Sequence, residues 1–104
     1  PLLLSVKVLY DSFRQLFTYN YICWDARRRG AAKPDQSELM RALRLSSPYF
    51  LKDIERRAPL WQNSKVFKII GLCAEYDAKS KGIDDGGASN GELLREFILK
   101  IMML

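Results

Sequence analysis

Residues Asn63–Gly82, with the sequence NSKVFKIIGLCAEYDAKSKG, form the stretch that decides the fold. The segment begins with polar residues that can cap a helix and ends at a glycine, and apolar residues recur between them at three- and four-residue steps. This spacing places five residues on one face of the helix: Val66, Ile69, Ile70, Cys73 and Asp77. The stretch therefore predicts the central helix of a small bundle, with a carboxylate at a position where an apolar side chain is expected.

Two interpretations of Asp77 follow from its surroundings in the sequence. The first is a partly exposed carboxylate that pairs with Lys81, four residues later. The second is a carboxylate turned toward a neighbouring helix, where it accepts hydrogen bonds from a helix start or an arginine. Glu75 and Lys79 form a second acid-first pair at the same spacing, and Gly82 suits the left-handed position just past a helix end.

Composition limits the possible functions. The chain has 104 residues, enough for one domain with one core, and 48% hydrophobic residues argue against intrinsic disorder. The absence of histidine removes the commonest general base and metal ligand, and Cys23 and Cys73 alone cannot complete a structural zinc site. We expect no catalytic residue, no cofactor and no metal. Free buried thiols are expected, with a disulfide as the alternative, and thiols suit a reducing cytoplasm.

The apolar runs of the sequence and its first residues indicate whether the protein enters a membrane or a secretory route. No uninterrupted apolar run approaches the roughly 20 residues that a membrane span needs, so no membrane partner is predicted. Leu2–Leu4 is too short for a signal-peptide core and has no basic leader before it. Because the chain opens at proline rather than methionine, we expect it to be part of a longer protein.

The first 30 residues predict a long helix from Leu2 to about Arg27. Apolar residues at helical spacing are Leu2, Val6, Leu9, Phe13, Leu16 and Phe17. Aromatic residues widen this face toward the carboxyl end, which is typical of a helix packed on several sides. Arg27, Arg28 and Arg29 followed by Gly30 are favourable at a helix C-terminus, where cations interact with the helix dipole.

The middle of the chain predicts two short helices after a linker at 30–34. Asp35 with Glu38 is a plausible N-cap pair for a helix that carries Leu39, Met40 and Leu43. Ser47 before Pro48 marks the next helix start, and Pro59 marks its end after Ala58. In that helix the residues expected to point inward are Phe50, Leu51 and Ile54, and those expected to point outward are Lys52, Arg56 and Arg57.

These two helices and their basic residues also suggest a helix-turn-helix-like nucleic-acid-binding module. Residues 1–60 hold eleven Lys or Arg against six acids, whereas residues 61–104 hold six of each. A basic half can bind an anionic partner such as DNA, and it can equally be the solvated outside of a bundle. The candidate contacts to DNA or to an acidic partner are Arg27, Arg28, Arg29, Arg41, Arg44, Lys52, Arg56 and Arg57.

The last segment predicts a loop at Ile83–Ala88 and then a helix. Ser89 and Glu92 have the spacing of a capping box. The residues expected to face inward are Leu94, Phe97, Ile98 and Ile101, with Leu93, Met102 and Leu104 at the margins. Glu96 and Lys100 form another four-apart pair. Strand and nucleotide-binding motifs are absent from the sequence. The predicted fold is a single all-α bundle of about five helices.

Three segments in this order resemble a known family. They are SPYFLKDIERRA at 47–58, EYDAKSKG at 75–82 and GELLREFILKI at 91–101. Together they look like the C-terminal collar domain of the delta subunit of bacterial DNA polymerase III, a clamp-loader subunit. The matching positions are Pro48, Tyr49, Phe50, Lys52, Asp77, Lys79, Lys81, Gly82, Glu92, Leu93, Leu94 and Glu96. Ser47 stands where the family often has histidine or asparagine, and serine caps a helix equally well.

The resemblance covers essentially all 104 residues, and it implies an assembly role. In that family the domain joins the C-terminal domains of the other loader subunits in a collar, and the loader places the sliding clamp on DNA during replication in the bacterial cytoplasm. The sliding clamp is contacted by N-terminal AAA+-like modules, which this chain lacks. The resemblance thus implies a non-enzymatic domain of a DNA polymerase holoenzyme, with partner subunits and, in the assembled loader, DNA.

Overall fold

A computed structural model describes residues 2–31 and 33–104, so Pro1 and Ala32, the latter within the predicted linker, lie outside the described residues. The described chain forms five α-helices: α1 Leu2–Arg28, α2 Gln36–Leu43, α3 Pro48–Arg57, α4 Asn63–Ser80 and α5 Asn90–Met102. A 3₁₀ turn, Ala58–Leu60, follows α3 directly. No strand occurs in these two ranges, which confirms the predicted all-α bundle of five helices.

The fold divides into two compact units. Among the described residues, unit 1 comprises 2–13 and Phe67–Leu104, and unit 2 comprises the described part of Arg14–Val66. The boundaries fall inside α1 and α4. Buried apolar residues in unit 1 are Leu2, Val6, Phe13, Ile69, Cys73, Tyr76, Leu93 and Phe97. Those in unit 2 are Leu16, Ala26, Leu39, Leu43, Leu51, Ile54, Ala58 and Val66. The assignment of 1–104 to a single domain stays a prediction.

Helix α1 ends one residue later than the sequence predicts. Its apolar series is buried at most positions, and Leu9 and Phe17 are half-buried. Gly30 has a φ of 81°, and its N–H donates to the Arg27 carbonyl at 3.0 Å. This left-handed conformation favours glycine and closes the last turn as expected.

Helix α2 corrects the predicted capping pair. Asp35 occupies the N-cap position, but its side chain makes no capping bond and instead accepts a hydrogen bond from the Ser37 hydroxyl. At the other end Arg44 adopts a left-handed conformation with a φ of 56°, and its N–H donates to the carbonyls of Met40 and Arg41. A non-glycine residue therefore provides the helix stop here.

Helix α3 begins as predicted. Its first residue is Pro48, and the Ser47 hydroxyl accepts from the Tyr49 N–H at 3.2 Å. Leu51 and Ile54 are buried, but the prediction for Phe50 is wrong because its side chain is 48% exposed. The buried series continues at Ala58 by a four-residue step, which leaves Phe50 at the edge of that face.

Helix α4 runs through the central stretch, but its buried face differs from the prediction near the end. Val66, Ile69, Cys73 and Tyr76 are buried, whereas Asp77 is only half-buried. The step after Cys73 is three residues rather than four, so tyrosine and not aspartate continues the face. Gly82, with a φ of 88°, follows the helix end in the left-handed conformation.

Helix α5 starts at the predicted capping box. The Ser89 hydroxyl accepts from the Glu92 N–H, and the Glu92 carboxylate accepts from the Ser89 N–H, both at 3.2 Å. Its inward face is rotated by one residue from the prediction. Leu93 and Phe97 are buried, while Leu94 and Ile101 are half-buried and Ile98 is 44% exposed. The prediction of Ile98 as inward is therefore wrong.

Removing the capping box should destabilise the protein. Ser89→Ala deletes the acceptor for the Glu92 N–H, so we expect a loss of about 1 kcal/mol in the free energy of unfolding. Ser46→Ala is the matched control, because Ser46 is exposed and such surface changes stay within about 0.5 kcal/mol. Urea denaturation followed by circular dichroism measures both, and equal midpoints for the two variants would contradict the role of Ser89.

Candidate functional site

Asp77 pairs within its own helix. Its carboxylate lies 3.1 Å from the Lys81 ammonium group, and the Asp77 side chain is 43% exposed. The structure therefore supports the first interpretation of Asp77, a partly exposed acid paired with Lys81, and the second is wrong. The Ser80 hydroxyl donates to the Asp77 carbonyl at 2.6 Å, so this end of α4 is held by local bonds.

The residue beside it, Tyr76, connects α4 to α5. Its side chain is fully buried, and its hydroxyl donates a hydrogen bond to the Glu96 carboxylate. Its ring packs against Phe97, with 5.2 Å between the ring centroids. Tyr76 thus places a large apolar ring in the core of unit 1 and a polar atom at the edge of that core, where α5 supplies the acceptor.

Two lysines complete this arrangement. Lys79 lies 3.0 Å from the Glu75 carboxylate and 4.8 Å from the centroid of the Tyr76 ring. Lys100 lies 3.5 Å from Glu75, 3.4 Å from Glu96 and 5.2 Å from the same ring centroid. We call these five residues the α4–α5 polar cluster: Glu75, Tyr76, Lys79, Glu96 and Lys100.

The ionisation of the cluster follows from these contacts. Burial, with the hydrogen bond to Glu96, raises the pKa of Tyr76. The bond from Lys79 lowers the pKa of Glu75, and the bond from Tyr76 lowers the pKa of Glu96. The tyrosine hydroxyl and then Glu75 raise the pKa of Lys100. The charged forms of Glu75, Glu96 and Lys100 are therefore stabilised, whereas Tyr76 is held in its neutral form.

The lowered carboxyl pKa values set the direction of a pH effect. A carboxyl whose pKa is lower in the folded than in the unfolded state stabilises the fold above the unfolded value. This contribution falls as the pH drops through the folded pKa. The cluster should hold α4 to α5 at neutral pH and weaken in acid.

Both cysteines are free thiols rather than a disulfide, but the prediction that both are buried holds for Cys73 alone. Cys73 is buried in unit 1, and burial raises its pKa to about 11. Cys23 in unit 2 is half-buried. Burial, followed by a hydrogen bond with Cys23, raises the pKa of Tyr19 to about 12. A buried thiol with a raised pKa is a weak nucleophile, so Cys73 has the character of a core residue.

The basic residues predicted to contact DNA divide into two groups. One group is neutralised locally, since Arg28 and Arg29 pair with Asp25 at 2.7 and 3.0 Å. Arg56 and Arg57 likewise pair with Asp53, at 2.5 and 3.1 Å. The other group is exposed and forms no ion pair within the described ranges: Arg27, Arg41, Arg44 and Lys52.

A shallow groove in unit 2 lies beside some of these arginines. It encloses about 260 Å³ and is lined by Gln15, Arg44, Leu45, Ser46, Phe50, Asp53, Ile54 and Arg57. The exposed rings of Tyr49 and Phe50 meet edge to face, with 5.6 Å between centroids. The groove thus combines positive charge with an exposed aromatic surface at the start of α3.

The remaining motif residues have mainly structural positions. Pro48 opens α3 and Glu92 completes the capping box of α5. Lys52 is exposed, and Leu94 is half-buried. Tyr76 was not among the predicted site residues. Its signal was present in the sequence, because it continues the series of Val66, Ile69 and Cys73 by a three-residue step.

Among residues 2–31 and 33–104 no group of three or more potential metal-ligating side chains occurs. No helix in the same ranges is long and apolar enough to cross a membrane. No family model matches the sequence, and neither a curated protein nor a solved structure matches it.

Removing the Tyr76 hydroxyl should loosen α5 from α4. For Tyr76→Phe we expect a loss of about 1.5 kcal/mol in the free energy of unfolding, because the ring stays and one hydrogen bond to a charged group is lost. Tyr21→Phe, at an exposed position in unit 2, is the matched control. Urea denaturation at pH 7 measures both.

A double-mutant cycle tests whether Glu96 is the hydrogen-bonding partner of Tyr76. Tyr76→Phe combined with Glu96→Gln should cost less than the sum of the single changes. The effect of Glu96→Gln should shrink in acid, as the pH falls through the lowered pKa of the Glu96 carboxyl. Full additivity at pH 7 would contradict the bond between Tyr76 and Glu96.

Proposed function

We propose that this chain is an assembly domain, a helical module whose work is to pack against other helical domains. The observation that supports this most directly is the large apolar surface left exposed in unit 1. Leu3, Leu4 and Val8 on α1 are each at least half exposed. On α5 the exposed residues include Ile98, Leu99 and Met102.

Their spacing supports two contact stripes. Leu4 and Val8 are four residues apart on α1, and Ile98 and Met102 are four residues apart on α5. Side chains four apart lie on one side of a helix, so each pair can pack into the groove of a facing helix. Pairs of exposed apolar side chains on one helix face are the kind of surface through which helical domains pack against each other.

The resemblance of the three motif segments makes the proposal more specific. It favours a collar domain of the delta subunit of a bacterial clamp loader, which would join the C-terminal domains of the other loader subunits in the cytoplasm. The α4–α5 polar cluster supports such a role because it fixes the rotation of α5 and hence the direction of its exposed apolar residues. On this proposal the domain acts by packing against its partners and has no catalytic role of its own.

The proposal predicts binding to partner collars. Mixing the chain with the C-terminal domains of the other loader subunits should yield a complex whose mass, measured by light scattering after gel filtration, equals the sum of its parts. Leu4→Glu combined with Val8→Glu should weaken the complex at least about 10-fold, because charge would be buried against apolar surface. Leu60→Glu, at another exposed apolar position, should leave it unchanged. A folded chain that forms no complex would overturn the proposal.

A second candidate function is nucleic-acid binding by unit 2. Residues Arg14–Val66 hold eleven Lys or Arg against five Asp or Glu, whereas the rest of the chain holds six against seven. The whole positive excess thus lies in one unit, where Arg44 lines a groove together with the exposed ring of Phe50. Cationic grooves with exposed aromatic side chains suit single-stranded nucleic acid.

The salt dependence of the affinity for an oligonucleotide tests whether unit 2 binds nucleic acid. Affinity for a fluorescent oligonucleotide should fall at least about 10-fold between roughly 50 and 200 mM salt. Arg41→Ala combined with Arg44→Ala should weaken binding more than Arg56→Ala, because Arg56 is already neutralised by Asp53. Undetectable binding at the lower salt would exclude this candidate.

A further inference from the structure

Unit 1 also has a groove that neither candidate function uses. It lies between the middle of α4 and the end of α5 and encloses about 510 Å³. Its lining residues are Lys68, Gly71, Leu72, Glu75, Lys100, Met103 and Leu104. Met103 is 82% exposed, and Phe67, 66% exposed, lies four residues before Gly71 on α4. The groove thus has an open, partly apolar floor.

Gly71 is the unusual residue in this groove. It sits in the interior of α4 with an ordinary helical φ, and a Cβ atom added there would meet nothing within 4 Å. Neither the backbone nor the packing of unit 1 requires glycine, and glycine weakens a helix interior relative to alanine. A glycine at such a place permits another helix to approach the backbone closely.

Two residues of opposite charge flank Gly71 along α4. Lys68 lies three residues before it and Glu75 four residues after it, on the same groove. If a second α4 crosses antiparallel near positions 71 and 72, then Lys68 of each chain meets Glu75 of the other. Lys68 forms no ion pair in the described part of its own chain, and Glu75 uses one oxygen for both Lys79 and Lys100.

We propose that this groove is the interface of a homodimer, in which α4 of two copies cross antiparallel at Gly71. A two-fold axis requires a surface that is complementary to itself, and the Lys68–Gly71–Glu75 pattern meets that requirement. Met103 and Leu104 of each chain would cover the second chain's α4 at the rim of the contact. The dimer does not depend on the proposed function, because the groove exists in the isolated chain.

The size of the contact sets the expected affinity. A crossing of two helices buries less area than a standard interface, so the dimer should be weak. Sedimentation of the 104-residue chain should show monomer at about 1 μM and dimer at several hundred μM. A monomer across this whole range would overturn the proposal.

One substitution tests the crossing point while preserving the fold. Gly71→Leu fills the close-approach position, so the dimer should weaken at least about 10-fold. The same change should raise the thermal midpoint by a few degrees, since leucine is a better helix former and has open space in the monomer. A purely structural role for Gly71 would instead lower the midpoint and leave association unchanged.

A charge exchange tests the antiparallel register. Lys68→Glu places two like-charged pairs in its homodimer, and Glu75→Lys does the same with the opposite sign, so each alone should weaken self-association about 10-fold. A mixture of the two variants restores both opposite-charge pairs in the heterodimer and should associate at least as well as the unchanged chain. Circular dichroism checks that Glu75→Lys, which also alters the α4–α5 polar cluster, remains helical.

Lys65→Glu is the matched control, because it makes the same charge change on the same helix at an exposed position outside the groove. It should leave the association constant within about two-fold of the original. If Lys68→Glu and Gly71→Leu both left dimerisation unchanged, or if the charge-exchanged mixture failed to associate, the proposed interface would be wrong.

Discussion

A fully buried tyrosine must give its hydroxyl a hydrogen-bonding partner, and in this protein that requirement determines how α5 lies on α4. Tyr76 has its ring in the core of unit 1 and its hydroxyl on Glu96. With Glu96 held at that point, Leu93 and Phe97 turn inward and Ile98 turns outward. This rotation of α5 satisfies the Tyr76 hydroxyl and buries Leu93 and Phe97 at the same time. Both the exposed apolar stripe of α5 and the groove beside Gly71 are consequences of that rotation.

Local signals in the sequence were sufficient for the limits of most helices. Ser47 with Pro48, Ser89 with Glu92, and the glycines at 30 and 82 each determine a helix end through contacts within a few residues. The prediction that the Asp35 side chain caps α2 was wrong, because that carboxylate accepts a hydrogen bond from the Ser37 hydroxyl instead. The left-handed Arg44 carried no such signal, since arginine rarely adopts that conformation.

The rotation of the helices was harder to predict than their limits. Steps of three and four residues are both helical, so the positions 76 and 77, or 93 and 94, compete for the same face. The choice depends on a partner helix, as with Tyr76 and Glu96, and periodicity along one helix contains no information about that partner. The ion pairs within α4 were predictable because Glu75–Lys79 and Asp77–Lys81 need only the helix itself. The further contacts of Lys79 with Glu96 and of Glu75 with Lys100 join α4 to α5, so only the three-dimensional structure reveals them.

The division into two units also separates the two tryptophans from the buried thiol. Both tryptophans, Trp24 and Trp61, belong to unit 2, whereas the buried thiol of Cys73 belongs to unit 1. Indole fluorescence therefore follows the opening of one unit, and thiol exposure at Cys73 follows the opening of the other. Whether the protein unfolds in one cooperative step or in two can be determined without adding a single label to its sequence.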